Sequence, residues 1–154
     1  MKKLSCLLLT VLLMITTSAQ AERLTLGELT LELPTDWTER AVGTNAYLFC
    51  GQNADGTRLL SVKREGVTRA NTPKRWKERC ERHAAVTVDE SANAVPYVLA
   101  SEALADEGVV FRVGKLQLGR WVYSFLFTDL TDTDDLLARD VLDSVHPIEP
   151  ITPS

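Results

Sequence analysis

The chain is predicted to fold as an α+β domain, an antiparallel sheet of about five to six strands built from N-terminal hairpins and a C-terminal meander and flanked by two main helices. Two observations predict it. Apolar residues alternate at period two in several short runs bounded by Gly, Pro and Asp, and that period gives way to three- and four-residue steps in only two stretches, near residues 73–84 and 133–145.

Residues 1–21 stand apart from this pattern. Lys2 and Lys3 form a positive end, Leu7 to Ile15 an apolar stretch, and Ala19-Gln20-Ala21 a small-x-small cleavage site. A membrane-spanning helix needs about 20 apolar residues in succession, and here Thr16, Thr17, Ser18 and Gln20 interrupt the run. The segment is expected to be a cleavable signal peptide that directs the chain to the periplasm. Cys6 precedes most of the apolar stretch, so it is not placed as a lipid-modified cysteine at the cleavage point. Cleavage leaves 133 of the 154 residues, and the loss of Lys2 and Lys3 takes the net charge from −4 to −6. Binding of nucleic acid or of an anionic membrane through bulk charge is not expected of such a chain.

The expected globular domain covers residues 22–147. From Arg23 to Leu33, leucines alternate on either side of Gly27-Glu28, which reads as a hairpin with one apolar face. Pro34 stops the second strand, since it has no N–H for the ladder, and Trp37 is expected to fold back over the edge of the core while staying partly exposed. Ala46 to Cys50 and Arg58 to Arg64 form a second hairpin, turned at Asp55-Gly56. Thr72 caps a helix with Pro73 at its first position. In that helix Trp76, Cys80, His83 and Ala84 share a face, and Lys74, Arg75, Lys77, Arg79 and Arg82 make the outer side basic, either a solvated face or a contact surface.

Val95 to Leu104, Val109 to Leu118 and Arg120 to Thr128 follow as a three-strand meander. In Trp121-Val122-Tyr123-Ser124-Phe125-Leu126-Phe127 nearly every position is apolar, which predicts a central strand covered on both faces. The second helix is expected from Thr133 to Val145, capped by Asp132, with Asp134 and Asp135 favoured by the dipole in its first turn and Pro147 ending it. Residues 148–154 form a Pro-rich tail.

Candidate chemistry is sparse. Cys50 and Cys80, the two cysteines left after cleavage, are expected to form a disulfide in an oxidising compartment. Such a bridge would close a loop of about 30 residues and stabilise the fold by roughly 3 to 4 kcal/mol. Cys80-x-x-His83 is a poor zinc site, having two ligands where four are needed. Asp129, Asp132, Asp134 and Asp135 lack the glycine and terminal glutamate of a calcium loop, so they read as helix capping or as an acidic docking patch. No Gly-x-Ser-x-Gly, His-Glu-x-x-His or glycine-rich phosphate loop occurs, and His83 and His146 both read as structural. Trp76 and Trp121 follow the apolar pattern of their elements, which leaves Trp37 as the aromatic contact candidate.

The N-terminal hairpin running into Leu33-Pro34-x-x-Trp37, the middle helix, the meander, and the ending from Tyr123-x-Phe125 to Leu142-x-Ser144-Val145 resemble the PsbP-like α/β/α sandwich. That group includes an extrinsic photosystem protein, a Ran-binding nuclear import factor and DcrB-like bacterial proteins. Val145 stands where the group usually has an aromatic. The resemblance implies a sheet flanked by helices whose members mostly bind proteins rather than catalyse. The expectation is therefore a non-enzymatic periplasmic protein-binding module without a cofactor, in the form of an immunity protein that neutralises a toxin delivered by a secretion system. Trp37, Asp129, Asp132, Asp134 and Asp135 are its expected partner contacts. The alternative is a periplasmic small-ligand carrier or envelope-complex assembly factor, which predicts a cavity between sheet and helix.

Overall fold

A computed structural model describes residues 21–40, 46–91, 93–104, 109–129 and 136–148. The signal segment, Asp132, Asp134, Asp135 and the tail after Ile148 lie outside the described residues. The chain order is β1 (Ala21–Leu26), β2 (Leu29–Pro34), β3 (Thr38–Glu39), β4 (Phe49–Gln52), β5 (Arg58–Gly66), α1 (Pro73–Cys80), β6 (Val86–Glu90), β7 (Tyr97–Leu104), β8 (Val109–Leu118), β9 (Trp121–Asp129), α2 (Leu136–Asp143) and β10 (His146–Pro147).

The class is α+β and the pairing antiparallel, as the sequence predicts, but the sheet is larger than five to six strands and is split in two. Seven strands form one sheet in the order β3-β4-β5-β9-β8-β7-β6, and β1-β2-β10 form a second of three. The N-terminal hairpin thus leaves the main sheet. Its turn is the expected Gly27-Glu28, with Leu26 opposite Leu29. Gly27 sits at φ +62°, and a Cβ there would come within 2.7 Å of Arg64 Nη1 and 2.8 Å of Tyr123 Oη, so both conformation and close approach require glycine. The backbone N–H of Glu28 donates to Tyr123 Oη at 2.9 Å, which pins the hairpin tip to the large sheet.

β9 is the central strand, paired with β5 on one side and β8 on the other. Side chains alternate across it. Tyr123, Phe125 and Phe127 face the core with Leu60 and Val62 of β5 and Leu116 of β8, all nearly or fully buried. The opposite face carries Val122, Ser124 and Leu126. Val122 and Ser124 are buried, but Leu126 is 39% exposed. Coverage on both faces, as the apolar run predicted, therefore holds only for the first half of the strand. The physical reason is the short reach of α1, which contacts β6, β7 and β8.

α2 closes the core on the other face. It contacts β2 and β8 and buries Ala138, Val141 and Leu142. After it, Ser144 Oγ accepts from the N–H of Glu32 at 2.9 Å and donates to the Val141 carbonyl at 2.6 Å, and His146 pairs with Thr30 in β10. His146 lies in this exposed bridge rather than in a helical turn.

Candidate functional site

α1 begins as the sequence predicts. Thr72 is the N-cap, its Oγ1 accepting from the Arg75 N–H at 3.4 Å, and Pro73 opens the helix. It ends sooner than predicted. Glu81 caps it in the αR region, and His83 follows in a turn, exposed, where the chain swings into β6. None of its residues is buried. Trp76 is half-buried against the sheet with Lys115 Nζ 5.6 Å from its ring centroid, and burial pushes the Lys115 ammonium below its usual pKa.

Because α1 does not sink into the sheet, an open groove of about 540 Å³ runs between its N-terminal half and the β6–β7 edge. Pro73, Pro96, Tyr97 and Val98 form its apolar walls, and Lys74, Lys77, Glu90 and Gln117 reach into it. Lys77 Nζ bonds Glu81 Oε1 at 2.7 Å and approaches Glu90 Oε2 at 3.8 Å, linking the helix to the edge strand beside the groove. The Glu81 hydrogen bond is the main reason the lysine's pKa lies above the ordinary value. The volume falls in the range of roughly 300 to 1,000 Å³ common to ligand pockets, and apolar walls with a few placed charges are what such pockets share.

The residues expected to contact a partner are placed elsewhere. Trp37 is a correction: its N–H donates to the Pro34 carbonyl at 3.2 Å, and this turn carries the indole into the core, where it is 8% exposed. Asp129 is another. It ends β9 buried, and its carboxylate pairs with Arg58 Nε at 3.2 Å across the β5–β9 ladder. Both side chains are thus committed to structure, and Asp132, Asp134 and Asp135 fall outside the described residues.

The expected disulfide is not formed. Cys50 and Cys80 are separate, half-buried thiols. Cys50 lies on β4, whereas Cys80 ends α1 over β6 to β8, and between β4 and β8 stand β5 and β9. Three strand spacings of about 4.8 Å exceed the roughly 7 Å limit for bridged Cα atoms. Burial raises the Cys80 thiol pKa above its usual value, which lowers its thiolate fraction. Among the described residues no group of three or more His, Cys, Asp or Glu is placed to hold a metal ion.

Sequence reasoning identified the basic helix face but missed the groove beside it. Its lining comes from the start of α1, from β6, from β7 and the residue before it, and from β8, which only the strand order β8-β7-β6 brings together. The signal available in the sequence was the short apolar stripe of the helix. Once His83 and Ala84 fall outside it, Trp76 and Cys80 are too few to seat it deeply.

No protein-family model matches the chain, and no curated protein matches it in sequence. Solved structures do match in fold. One is a protein from Bacteroides thetaiotaomicron VPI-5482, with a TM-score of 0.57 and 12% identity over 78% of this chain. The chain spans about half of that protein's length, 45%. Another is cyanobacterial PsbP (CyanoP) from Synechocystis sp. PCC 6803, with a TM-score of 0.60 and 11% identity over 86% of this chain and 95% of that one. The fold is PsbP-like, as the ordering of hairpin, helix, meander and closing helix implied.

Proposed function

We propose that this is an exported, non-enzymatic binding protein that engages a partner protein through the α1 side of the sheet. The observation that carries the proposal is that α1 commits none of its residues to the core and borders an apolar-walled groove of about 540 Å³. That leaves most of its outward face free of structural duty, with Lys77 tying it to Glu90 beside the groove. An immunity protein that occludes a toxin is the narrower form of this proposal, with α1 and the groove replacing Trp37 and Asp129 as the contact surface.

The carrier reading predicted a cavity between helix and sheet, and the groove favours it as the second reading. Site-specific photocrosslinking in cells tests the first. A crosslinker at Gln117, which is exposed and lines the groove, should trap a discrete protein adduct, whereas one at Glu32 on β2 should not. Adducts of equal yield from both positions, or from neither, would count against the proposal. Native mass spectrometry tests the carrier reading, which requires bound small-molecule mass that Gln117→Trp displaces by filling the groove.

A further inference from the structure

We infer that the segment seated on the α1 side is an acidic stretch of protein with an apolar anchor, an inference that rests on the binding function proposed above. The charge of this chain is segregated. Residues 63–82 carry eight basic side chains (Lys63, Arg64, Arg69, Lys74, Arg75, Lys77, Arg79 and Arg82) against three glutamates, whereas the rest of residues 22–154 carries seven basic against eighteen acidic. A segment of net charge +5 thus sits in a remainder of −11. The acidic total conceals this, and it removes the ground on which bulk charge argued against an anionic partner.

The fold gathers most of these cations around α1, the exception being Arg64, which lies on the other face of the sheet against Gly27 of the N-terminal hairpin. Arg79 Nη1 donates to the Ala70 carbonyl at 2.6 Å, folding the helix onto the loop before it, and the N–H of Val67 donates to the Arg120 carbonyl at 2.9 Å, tying the start of that loop to the β8–β9 turn. Part of the charge is already matched, by Lys63 with Glu65, Arg75 with Glu78, and Lys77 with Glu81 and Glu90. Among the described residues Arg69, Lys74, Arg79, Arg82 and Arg120 have no carboxylate partner, and all five are exposed. Arg64 and Arg120 instead stack on the Trp121 ring, at 4.2 and 5.1 Å from its centroid, beside Glu28 of the N-terminal hairpin and apart from the α1 face.

Three features favour acidic protein over other polyanions. The large exposed apolar side chains of the described residues are Tyr47, Val67, Leu126, Leu136 and Ile148, and of these only Val67 lies in the basic segment. The face therefore has no exposed aromatic on which a nucleic-acid base would stack. On the α1 side of the sheet only Leu126 adds to Val67 among the described residues, and two scattered apolar side chains are not the whole apolar face that membrane-bound helices insert into a bilayer. Glu78, Glu81 and Glu90, interleaved with the lysines and arginines, would repel a uniform row of phosphates, but for a protein segment of patterned charge they set the register. The groove of Pro73, Pro96, Tyr97 and Val98 next to this face takes the apolar anchor.

Peptide-display selection on the immobilised protein tests the inference. Enriched sequences are expected to be acidic around one large apolar residue, and the variant Arg69→Glu/Lys74→Glu/Arg82→Glu is expected to bind them at least about tenfold more weakly. All three positions are exposed, and an unchanged circular dichroism melt confirms that the variant is folded. Enrichment of neutral or basic sequences that Gln117→Trp abolishes would overturn the acidic inference and leave the groove function standing. Failure to enrich anything above bare support would overturn both. Binding of phosphatidylglycerol vesicles or oligothymidylate that the triple variant loses, with no acidic peptide retained, would replace the protein partner by a membrane or a nucleic acid.

Discussion

The two helices have opposite uses. α2 buries Ala138, Val141 and Leu142, whereas no residue of α1 is fully buried. α2 is also fastened at several points. Arg139 Nη2 bonds Asp89 Oδ2 at 2.6 Å, Asp143 accepts from Asn93 and Tyr97, and Ser144 holds β2. α1 rests on a half-buried Trp76 and on Arg79 reaching back to its own entry loop. Cohesion is therefore concentrated under α2, and the α1 side remains available for contact. A partner is best sought at the helix that contributes least to the core.

Substitutions in the packed layer should show the largest effect. Leu142 is 1% exposed, and its Cδ1 lies 2.7 Å from where a Cβ on Gly114 would stand. Leu142→Ala should cost about 3 kcal/mol, a fall in melting temperature of roughly 10 °C. Gly114→Val should cost at least as much, because β8 is hydrogen-bonded on both sides and has little freedom to give way. Trp76→Ala should cost about 1 to 2 kcal/mol, since only part of the ring leaves water. Equal losses for Leu142→Ala and Trp76→Ala in chemical denaturation would break the contrast between the helices. Asp129→Ala, which removes the buried carboxylate that Arg58 Nε meets at 3.2 Å, should fall between them at about 2 to 3 kcal/mol.

Local pattern made much of this contrast legible and long-range pairing hid the rest. Thr72-Pro73 marks the start of α1, and Gly27-Glu28 and Gly119 mark hairpin turns, because the conformation at each position is set by neighbours in sequence. β6 was missed although Val86 and Val88 alternate, because the helical period was read as far as Ala84 and left no room for a turn into a strand. That the first hairpin forms its own sheet depends on β5 pairing with β9, some 60 residues apart, and periodicity says nothing of partners. Asp129 looked like one of four clustered acids for the same reason, since its partner Arg58 is remote in sequence. The groove is the extreme case, being a space between elements rather than a property of any one of them.

A pH experiment sharpens the contrast on the α2 side. Tyr97 Oη donates to Asp143 Oδ1 at 2.8 Å, and burial followed by that bond pushes the phenol up to about 12. Its ordinary value is 10. Below pH 10 the phenol is protonated in both folded and unfolded chains, and the hydrogen bond stabilises the fold in full. Between pH 10 and about 12 the unfolded chain releases the proton first, so stability falls as pH rises. Tyr97→Phe should therefore be less stable than the parent at pH 7, by about 1.5 kcal/mol, and the gap should narrow through that window. A gap independent of pH would mean that the phenol does not couple α2 to β7 as the geometry indicates.

The smallest effect on stability should accompany the largest effect on binding. Arg69, Lys74 and Arg82 are exposed and lack carboxylate partners among the described residues. Their replacement by glutamate gives up little of the native state's own cohesion and should move the melting temperature by no more than about 2 °C. The same three changes reverse the sign of the surface that a charged partner meets first. They should slow association more than they speed dissociation, with the difference shrinking as salt is raised. Gln117→Trp should do the opposite: the long-range field is left intact while the anchor site is filled, so binding weakens through faster dissociation at every salt concentration. If the two variants lost affinity by the same kinetic route, charge and groove would not be separable parts of one surface, and the division of labour assigned to α1 would fail.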